Sequence, residues 1–439
     1  MSSQIDYRLS RLAALRPAFG GSPRTMSSEL PFGAAALAER LGASIESNQF
    51  GEHLRLRRWH DHPTSSAFDC GALGNGVMAL LHPSAAPQCL DPSQWLFLDT
   101  ETTGLCGGSG TYAFLIGLAW WEAGGLQVEQ LFIRDYSEEH AALEALAARI
   151  AERPVLVTFN GRTFDWPLLE TRYRMTRKIA APQLVSHIDL LHPARQIWRP
   201  KLGSVRLIEL EDQVLGQLPW QRGDDIPGML IPQAYFQYLR SEAPSTIEAL
   251  VQVFRHNEMD LRGLAALSSK IVELLAQPES IESDALELFG LSRLLRRRGS
   301  CSRARGIYER ALGAGLPVEA DRTARRELAS LAKRDGDMPR ATSLWTEILG
   351  GTRDGLDAYE QLAIYYEHHA RQPRRAQDVA REAMETLHQA QTAGHIEPAR
   401  YRRVHARLEH RLARLSRCTR SAPSSRLELL DTSLWLPAE

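Results

Sequence analysis

Four apolar residues in a row, Trp95-Leu96-Phe97-Leu98, end abruptly on Asp99, and an ordered series of elements follows. A run this short, bounded by polar residues, predicts a buried strand rather than a helix. Tyr112–Trp121 and Leu126–Ile133 are rich in apolar and β-favouring residues, and joining them around Gly124-Gly125 predicts a hairpin. Ser137 is placed to cap a helix running through Ala141–Ala151. Pro154–Phe159 reads as a fourth strand, Phe164–Arg177 as a second helix and Leu184–Leu190 as a fifth strand. Three strands, helix, strand, helix, strand and then helices describe an α/β mixed sheet with helices packed on it.

On either side the pattern differs. Residues 1–94 are punctuated by Pro, Ser and Gly, and the alternation in His53-Leu54-Arg55-Leu56-Arg57 predicts an edge strand within an N-terminal extension of unassigned role. His60 and His62 flank Asp61, a pair that suits surface residues better than a metal site. Beyond about residue 280 no strand signal remains and the chain repeats itself. Leu291, Gly299, Ala304, Tyr308 and Leu312 recur as Leu328, Gly336, Ala341, Trp345 and Leu349, with a degraded third copy in Ala363, Arg371, Ala376, Ala380 and Met384. These spacings, 37 and then 35 residues, resemble tetratricopeptide repeats, and an ordinary helical bundle is the alternative. The implied divisions are 1–94, a catalytic-type domain at 95–278, an all-α repeat domain at 284–415 and a tail at 416–439. Arg400–Arg420 reads as an arginine-dense helix, either a solvated cap or a phosphate-contacting face.

A chain of 439 residues is too long for one ordinary core. Its 44% hydrophobic and 24% charged residues fit a globular protein. With a formal charge of -1 it lacks the basic excess of a protein that simply wraps nucleic acid, so such contacts must come from local patches. The five cysteines, Cys70, Cys89, Cys106, Cys301 and Cys418, lie far apart, which argues against a zinc site and a disulfide framework. The opening residues, with Asp6 and Arg8 and no apolar core, do not read as a signal peptide. The longest apolar stretch is about half a membrane span. A cytoplasmic protein without membrane association is the expectation.

The chemistry concentrates in three segments. In Asp99-Thr100-Glu101-Thr102-Thr103-Gly104, Asp99 and Glu101 are two apart at a strand end and so share one face. Paired carboxylates repel unless cations sit between them, and oxygen ligands favour Mg²⁺ or Mn²⁺. In Asn160-Gly161-Arg162-Thr163-Phe164-Asp165 a strand ends, the chain turns and Asp165 opens a helix, as a ligand or as an N-cap. In His256-Asn257-Glu258-Met259-Asp260, at the start of a helix through Leu275, His256 and Asp260 lie four apart on one face, in a site or in a surface contact.

Together these segments resemble a DEDD-superfamily 3′–5′ exonuclease, and most closely the YprB-type ribonuclease-H-like family. DTETTGLCGGSGTYAFLIGLA, LVTFNGRTFDWPLL, SHIDLLHPARQIWR, DIPGMLIPQAYFQYL and HNEMDLRGLAAL carry the likeness. The resemblance implies a ribonuclease-H-like sheet and two bound Mg²⁺ or Mn²⁺ ions. It makes Asp99 the bridging ligand, gives Glu101 and Asp260 the nucleophile-side metal, and gives Asp165 the other. The superfamily has a Tyr four residues before the last Asp or a His five before it; here His256 stands at the four-residue spacing, as base or as water-orienting donor. Asp189 takes a structural role near the site, and Gly107-Gly108-Ser109-Gly110 a hairpin loop that admits a nucleotide. Thr102, Gly104, Asn160, Arg162, Arg174, Arg177 and Lys201 are candidate substrate contacts, alongside Arg172, Lys178, Arg195 and Arg199; an ordinary solvated face is their alternative. Trp166, Tyr173 and Trp198 can stack on bases or fill the core. The leading expectation is an exonuclease acting on single-stranded DNA or RNA ends, with the repeats recruiting a protein partner. The alternatives are a nucleic-acid-binding module with weak or no catalysis, and a repeat scaffold.

Overall fold

A computed structural model describes residues 32–61, 73–104, 110–122, 124–216, 218–220, 222–241, 243–280, 282–349 and 355–420. The chain start, His62, Cys70, Cys106, Gly107–Ser109 and the end of the tail lie outside the described residues.

Seven strands form one mixed sheet in the order β1-β2-β5-β4-β3-β6-β7. They are β1 (Ser44–Asn48), β2 (Gly51–Asp61), β3 (Trp95–Thr102), β4 (Ala113–Glu122), β5 (Gly125–Phe132), β6 (Val155–Thr158) and β7 (Ser186–Asp189). The β4–β5 hairpin forms where Gly124 takes a φ of 83°, and β6 and β7 run parallel to β3 on its other side. The stretch His53–Arg57, expected at an edge, lies one strand in: β2 pairs with β5, and β1 covers its other side. Alternation marks a half-buried strand and is blind to how many neighbours it has. The sheet therefore draws on residues before the expected boundary at 95.

Both faces of β3 are covered. Trp95 and Phe97 enter one core, Leu96 and Leu98 the other. Helices α1 (Phe32–Leu41) and α2 (Asn75–Leu81) lie in the N-terminal part, α3 (Glu139–Glu152) and α4 (Asp165–Thr176) connect strands, and α5 (Leu191–Leu202) follows the last strand. Ser137 does not cap α3. Asp135 accepts from the Ser137 N–H and caps a single 3₁₀ turn that leads into the helix at Glu139. After α6 (Leu207–Leu210) and a π turn (Glu211–Leu215) come α7 (Ile231–Arg240) and the 33-residue α8 (Pro244–Ala276). Pro244 at the first turn starts α8 earlier than expected, so His256 sits mid-helix. Ile247, Leu250 and Phe254 of α8 fill one core, and Leu261, Leu264 and Leu267 fill the other. The helix thus passes the end of β3 midway along its length.

The C-terminal region is all helix: α9 (Ala285–Arg297), α10 (Cys301–Gly313), α11 (Val318–Arg334), α12 (Met338–Leu349), α13 (Leu356–Ile364), α14 (Pro373–Thr392) and α15 (Pro398–Arg420). Three hairpins repeat, and their turns place Gly299, Gly336 and Arg371 at φ 82°, 81° and 53°. Arg371 in a left-handed conformation explains why the third copy looked degraded. Ala304, Tyr308, Ala341, Trp345, Ala376 and Ala380 are all buried. In α15, Arg411 and Arg414 grip Glu367, and Arg407 grips Glu360, the pattern of a cap.

Helix α9 seats the repeats directly on α5. A Cβ at Gly290 would lie 2.0 Å from the Ile197 carbonyl oxygen, so only glycine permits this approach. Trp198 donates to Glu287 at 2.9 Å, and Lys201 pairs with Asp284, the N-cap of α9. One continuous core runs from the sheet into the repeats. Among the described residues no helix is long and apolar enough to cross a membrane.

Candidate active site

Strand β3 pairs with β6 only over Trp95–Phe97, while its far half remains paired with β4 through Thr102. The edge of β3 beyond Phe97 is thereby open to the Asn160–Asp165 loop. Asn160 takes the left-handed turn at φ 71°, and a Cβ at Gly161 would strike the Thr158 side chain at 2.5 Å. Asp189 holds the loop, accepting from the N–H groups of Asn160 (2.8 Å), Arg162 (3.2 Å) and, at the start of α5, Leu191 (3.0 Å). Asp165 then receives the Thr100 hydroxyl at 2.5 Å.

From the other side α8 brings His256, Asn257 and Asp260. Glu101, His256 and Asp260 each offer a ligand atom within 4.8 Å of the others. Asp99 and Asp165 stand outside that group but close enough to interact with it electrostatically. Burial, with the charges of Asp260, Glu101 and Asp165, drives the Asp99 carboxyl well above the usual range. Glu101 is pushed up to about 8 by burial, which the His256 charge partly offsets and those of Asp260, Asp165 and Asp225 reinforce. Asp165 is raised by burial against its hydrogen bonds. For His256 the acidic neighbours outweigh the opposing effect of burial and raise it. Acids crowded this closely cannot all ionise without cations between them. The residues therefore fit a divalent-metal site.

Several side chains that hold this arrangement escaped the sequence reading. Asn257, fully buried, donates to Asp99 Oδ2 at 2.8 Å and accepts from Gln130 at 2.8 Å. It fits because Gly117 lies opposite Asp99 on β4, where a Cβ would come within 2.2 Å of Asn257 Oδ1. A glycine inside an otherwise apolar strand was the available signal. Asp225 accepts from His256 Nδ1 at 2.9 Å, leaving Nε2 3.4 Å from Asp260. Arg222 binds Glu211 (2.6 Å), Asp225 (3.1 Å) and Asp260 (2.5 Å) at once. Glu211 in turn occupies the space left by Gly263.

The remaining candidates divide by location. Thr102 donates to the Gly104 carbonyl at 3.0 Å, keeping both beside the carboxylates. Arg162 lies on the site loop, and Arg174 and Arg177 lie on the exposed end of α4. Lys201 sits at the junction with the repeats. Tyr173 and Trp198 are core residues with buried partners, and Arg172 forms a buried pair with Glu139, so none of the three faces a substrate. Trp166 stays half-buried against the His187 ring. His60 lies 3.3 Å from Glu258.

Residues 96–272 match the RNase_H superfamily. Over 293 residues the chain is 30% identical to the uncharacterized protein YprB of Bacillus subtilis (strain 168), covering 66% of this chain and 68% of that protein. A nuclease activity fits that superfamily, whose members usually use divalent metals.

Proposed function

The chain belongs to the YprB-type family of the RNase H superfamily, and from this premise we propose that it is a DEDD-type 3′–5′ exonuclease. Its substrate is a single-stranded end of DNA or RNA, its reaction phosphodiester hydrolysis, and its cofactors two Mg²⁺ or Mn²⁺ ions. The observation that carries the reading is the crowding of the carboxylates of Asp99, Glu101, Asp165 and Asp260 on one another, with His256 beside Glu101 and Asp260. Asp99, Glu101, Asp165 and Asp260 would hold the ions. Divalent cations in such a site lower the pKa of bound water and neutralise charge on the phosphate.

The chain's own groups do the rest. Asp225 holds Nδ1 of His256, so Nε2 faces Asp260 and Glu101 and can orient or deprotonate water. Asn257 keeps Asp99 from turning away, and Thr100 does the same for Asp165. Thr102, Gly104, Asn160 and Arg162 line the approach, while Arg174 and Arg177 at the end of α4 meet more distant phosphates. The repeats offer a protein partner a surface on a rigid base. The test is incubation of the purified protein with 5′-labelled single-stranded DNA and RNA in Mg²⁺ or Mn²⁺, beside Asp99→Asn. Metal-dependent shortening from the 3′ end that vanishes in the variant is expected. Equal shortening by both proteins, or none by wild type on any strand, overturns the proposal.

A further inference from the structure

A second polar cleft lies at the junction of the sheet domain and the repeats. It has a volume of about 340 Å³ and is lined by His82, Arg162, His192, Gln196, Arg298 and Asp189, with apolar walls. Three separate parts of the chain meet there. Arg162 comes from the loop that ends on Asp165, His82 follows α2, and Arg298 caps the C-terminal end of α9, the first repeat helix. The seating of α9 on α5 through Gly290 fixes Arg298 beside His192 and Gln196.

The charge balance of this cleft is unusual for a domain junction. Asp189 is its only carboxylate among the described residues, and three backbone N–H groups already bind that carboxylate. The Arg298 Nε is buried without a hydrogen-bond partner among the described residues, and so is Gln196 Oε1. Burial, then the charges of Arg162 and Arg298, hold His82 below the usual histidine range. The Arg162 guanidinium donates to the His187 carbonyl, and Asp189 is taken up by the backbone. Two guanidinium groups lining one partly enclosed space, with no carboxylate among the described residues paired to either, form a receptor for a small, highly charged oxyanion. A cleft that shares its loop with the carboxylate site meets such an oxyanion in the backbone of a strand lying across that site.

We propose that this cleft holds a backbone phosphate of the substrate strand, gripped by Arg162 from the site loop and Arg298 from the repeats. This rests on the nuclease reading above and gives the repeat region a direct part in substrate binding. The strand's length beyond the scissile end then matters, because only a strand that reaches the cleft gains this contact.

The test uses the full chain and its Arg298→Glu, Arg298→Lys and Arg162→Ala variants. It measures the Kd of a fluorescent single-stranded oligonucleotide against salt, together with KM and kcat for its hydrolysis. Arg298→Glu should weaken strand binding roughly tenfold and flatten the dependence of log Kd on log salt by about 0.7 for each phosphate no longer neutralised. The loss should appear in KM rather than in kcat. Arg162→Ala should weaken binding in the same direction, and Arg298→Lys should restore most of the affinity. An unchanged Kd and salt slope in Arg298→Glu, at an unchanged melting temperature, overturns the proposal. So does Arg298→Lys failing as badly as Arg298→Glu with a lowered melting temperature, the mark of a packing role. Inorganic phosphate that binds through Arg298 without displacing the strand would assign the cleft to a free anion and likewise refute the proposal. Strand binding that depends on Arg298 in a protein hydrolysing no strand would sink the nuclease reading and leave the cleft standing.

Discussion

Replacing Glu101 by Gln separates the demands of folding from those of the site. The Glu101 carboxyl is pushed from 4.5 up to about 8, chiefly by burial among Asp260, Asp165 and Asp225. Its folded-state pKa exceeds the unfolded one, so the native protein binds this proton more tightly than the unfolded chain. Stability is therefore greatest below about pH 4.5 and falls as pH rises through about 8. At about 1.36 kcal/mol per unit, the cost near pH 7.5 reaches an upper bound of about 4 kcal/mol. Gln keeps the shape and has no proton to lose. Metal-free Glu101→Gln should thus melt several degrees above metal-free wild type near neutral pH and no higher near about pH 4. With Mn²⁺ the order should invert, because binding to the native state alone stabilises wild type while the variant has lost a ligand. Turnover should fall by roughly a hundredfold or more. The assay is thermal melting across that pH range, in chelator and in Mn²⁺. A wild-type melting temperature independent of pH in chelator, or a variant that never exceeds it, would refute the reasoning.

Three further outcomes follow from the same geometry. Gly117→Ala drives a Cβ into Asn257; without the Asn257 hydrogen bond to Asp99, turnover should drop roughly tenfold or more, measured as kcat, with the sheet intact by circular dichroism. His256→Ala should cost about 10²–10⁴-fold in kcat while Mn²⁺ affinity by calorimetry holds; equal loss of both would make His256 a ligand instead. Gly290→Ala must push α9 off the Ile197 carbonyl, destabilising the chain by about 1–3 kcal/mol in urea unfolding; an unchanged midpoint would mean that the junction is loose.

Much of the sheet was legible because its strands are nearly continuous apolar runs with turn residues between them, and burial on both faces demands that pattern. The helical hairpins of the C-terminal region were legible because a left-handed turn recurs after 37 and then 35 residues: Gly299 and Gly336 announce it, and Arg371 adopts it without the residue that advertises it. The β1–β2 hairpin was underread because its alternation is local, whereas its place inside the sheet depends on β5, far along the chain. Ser137 and the start of α8 were misplaced by competing signals nearby, Asp135 in one case and Pro244 in the other.

The site divides along the same line. Asp99, Glu101, Asp165 and Asp260 stood out because each sits where a strand or a helix turn fixes its direction, so spacing alone says which way it points. Arg222 and Asp225 carry no such mark: they lie in an irregular segment and acquire meaning only when α8 passes beside them. Yet they complete the electrostatics, since Arg222 is the cation on Asp260 in this structure and Asp225 holds the His256 ring. Gly117 and Gly263 are a trace of the neighbouring supports, each a missing side chain in an otherwise filled element, where Asn257 and Glu211 need the room. A motif of acids can be read from one segment at a time. The groups that hold those acids in place are visible only where two segments must share a space too small for a methyl group.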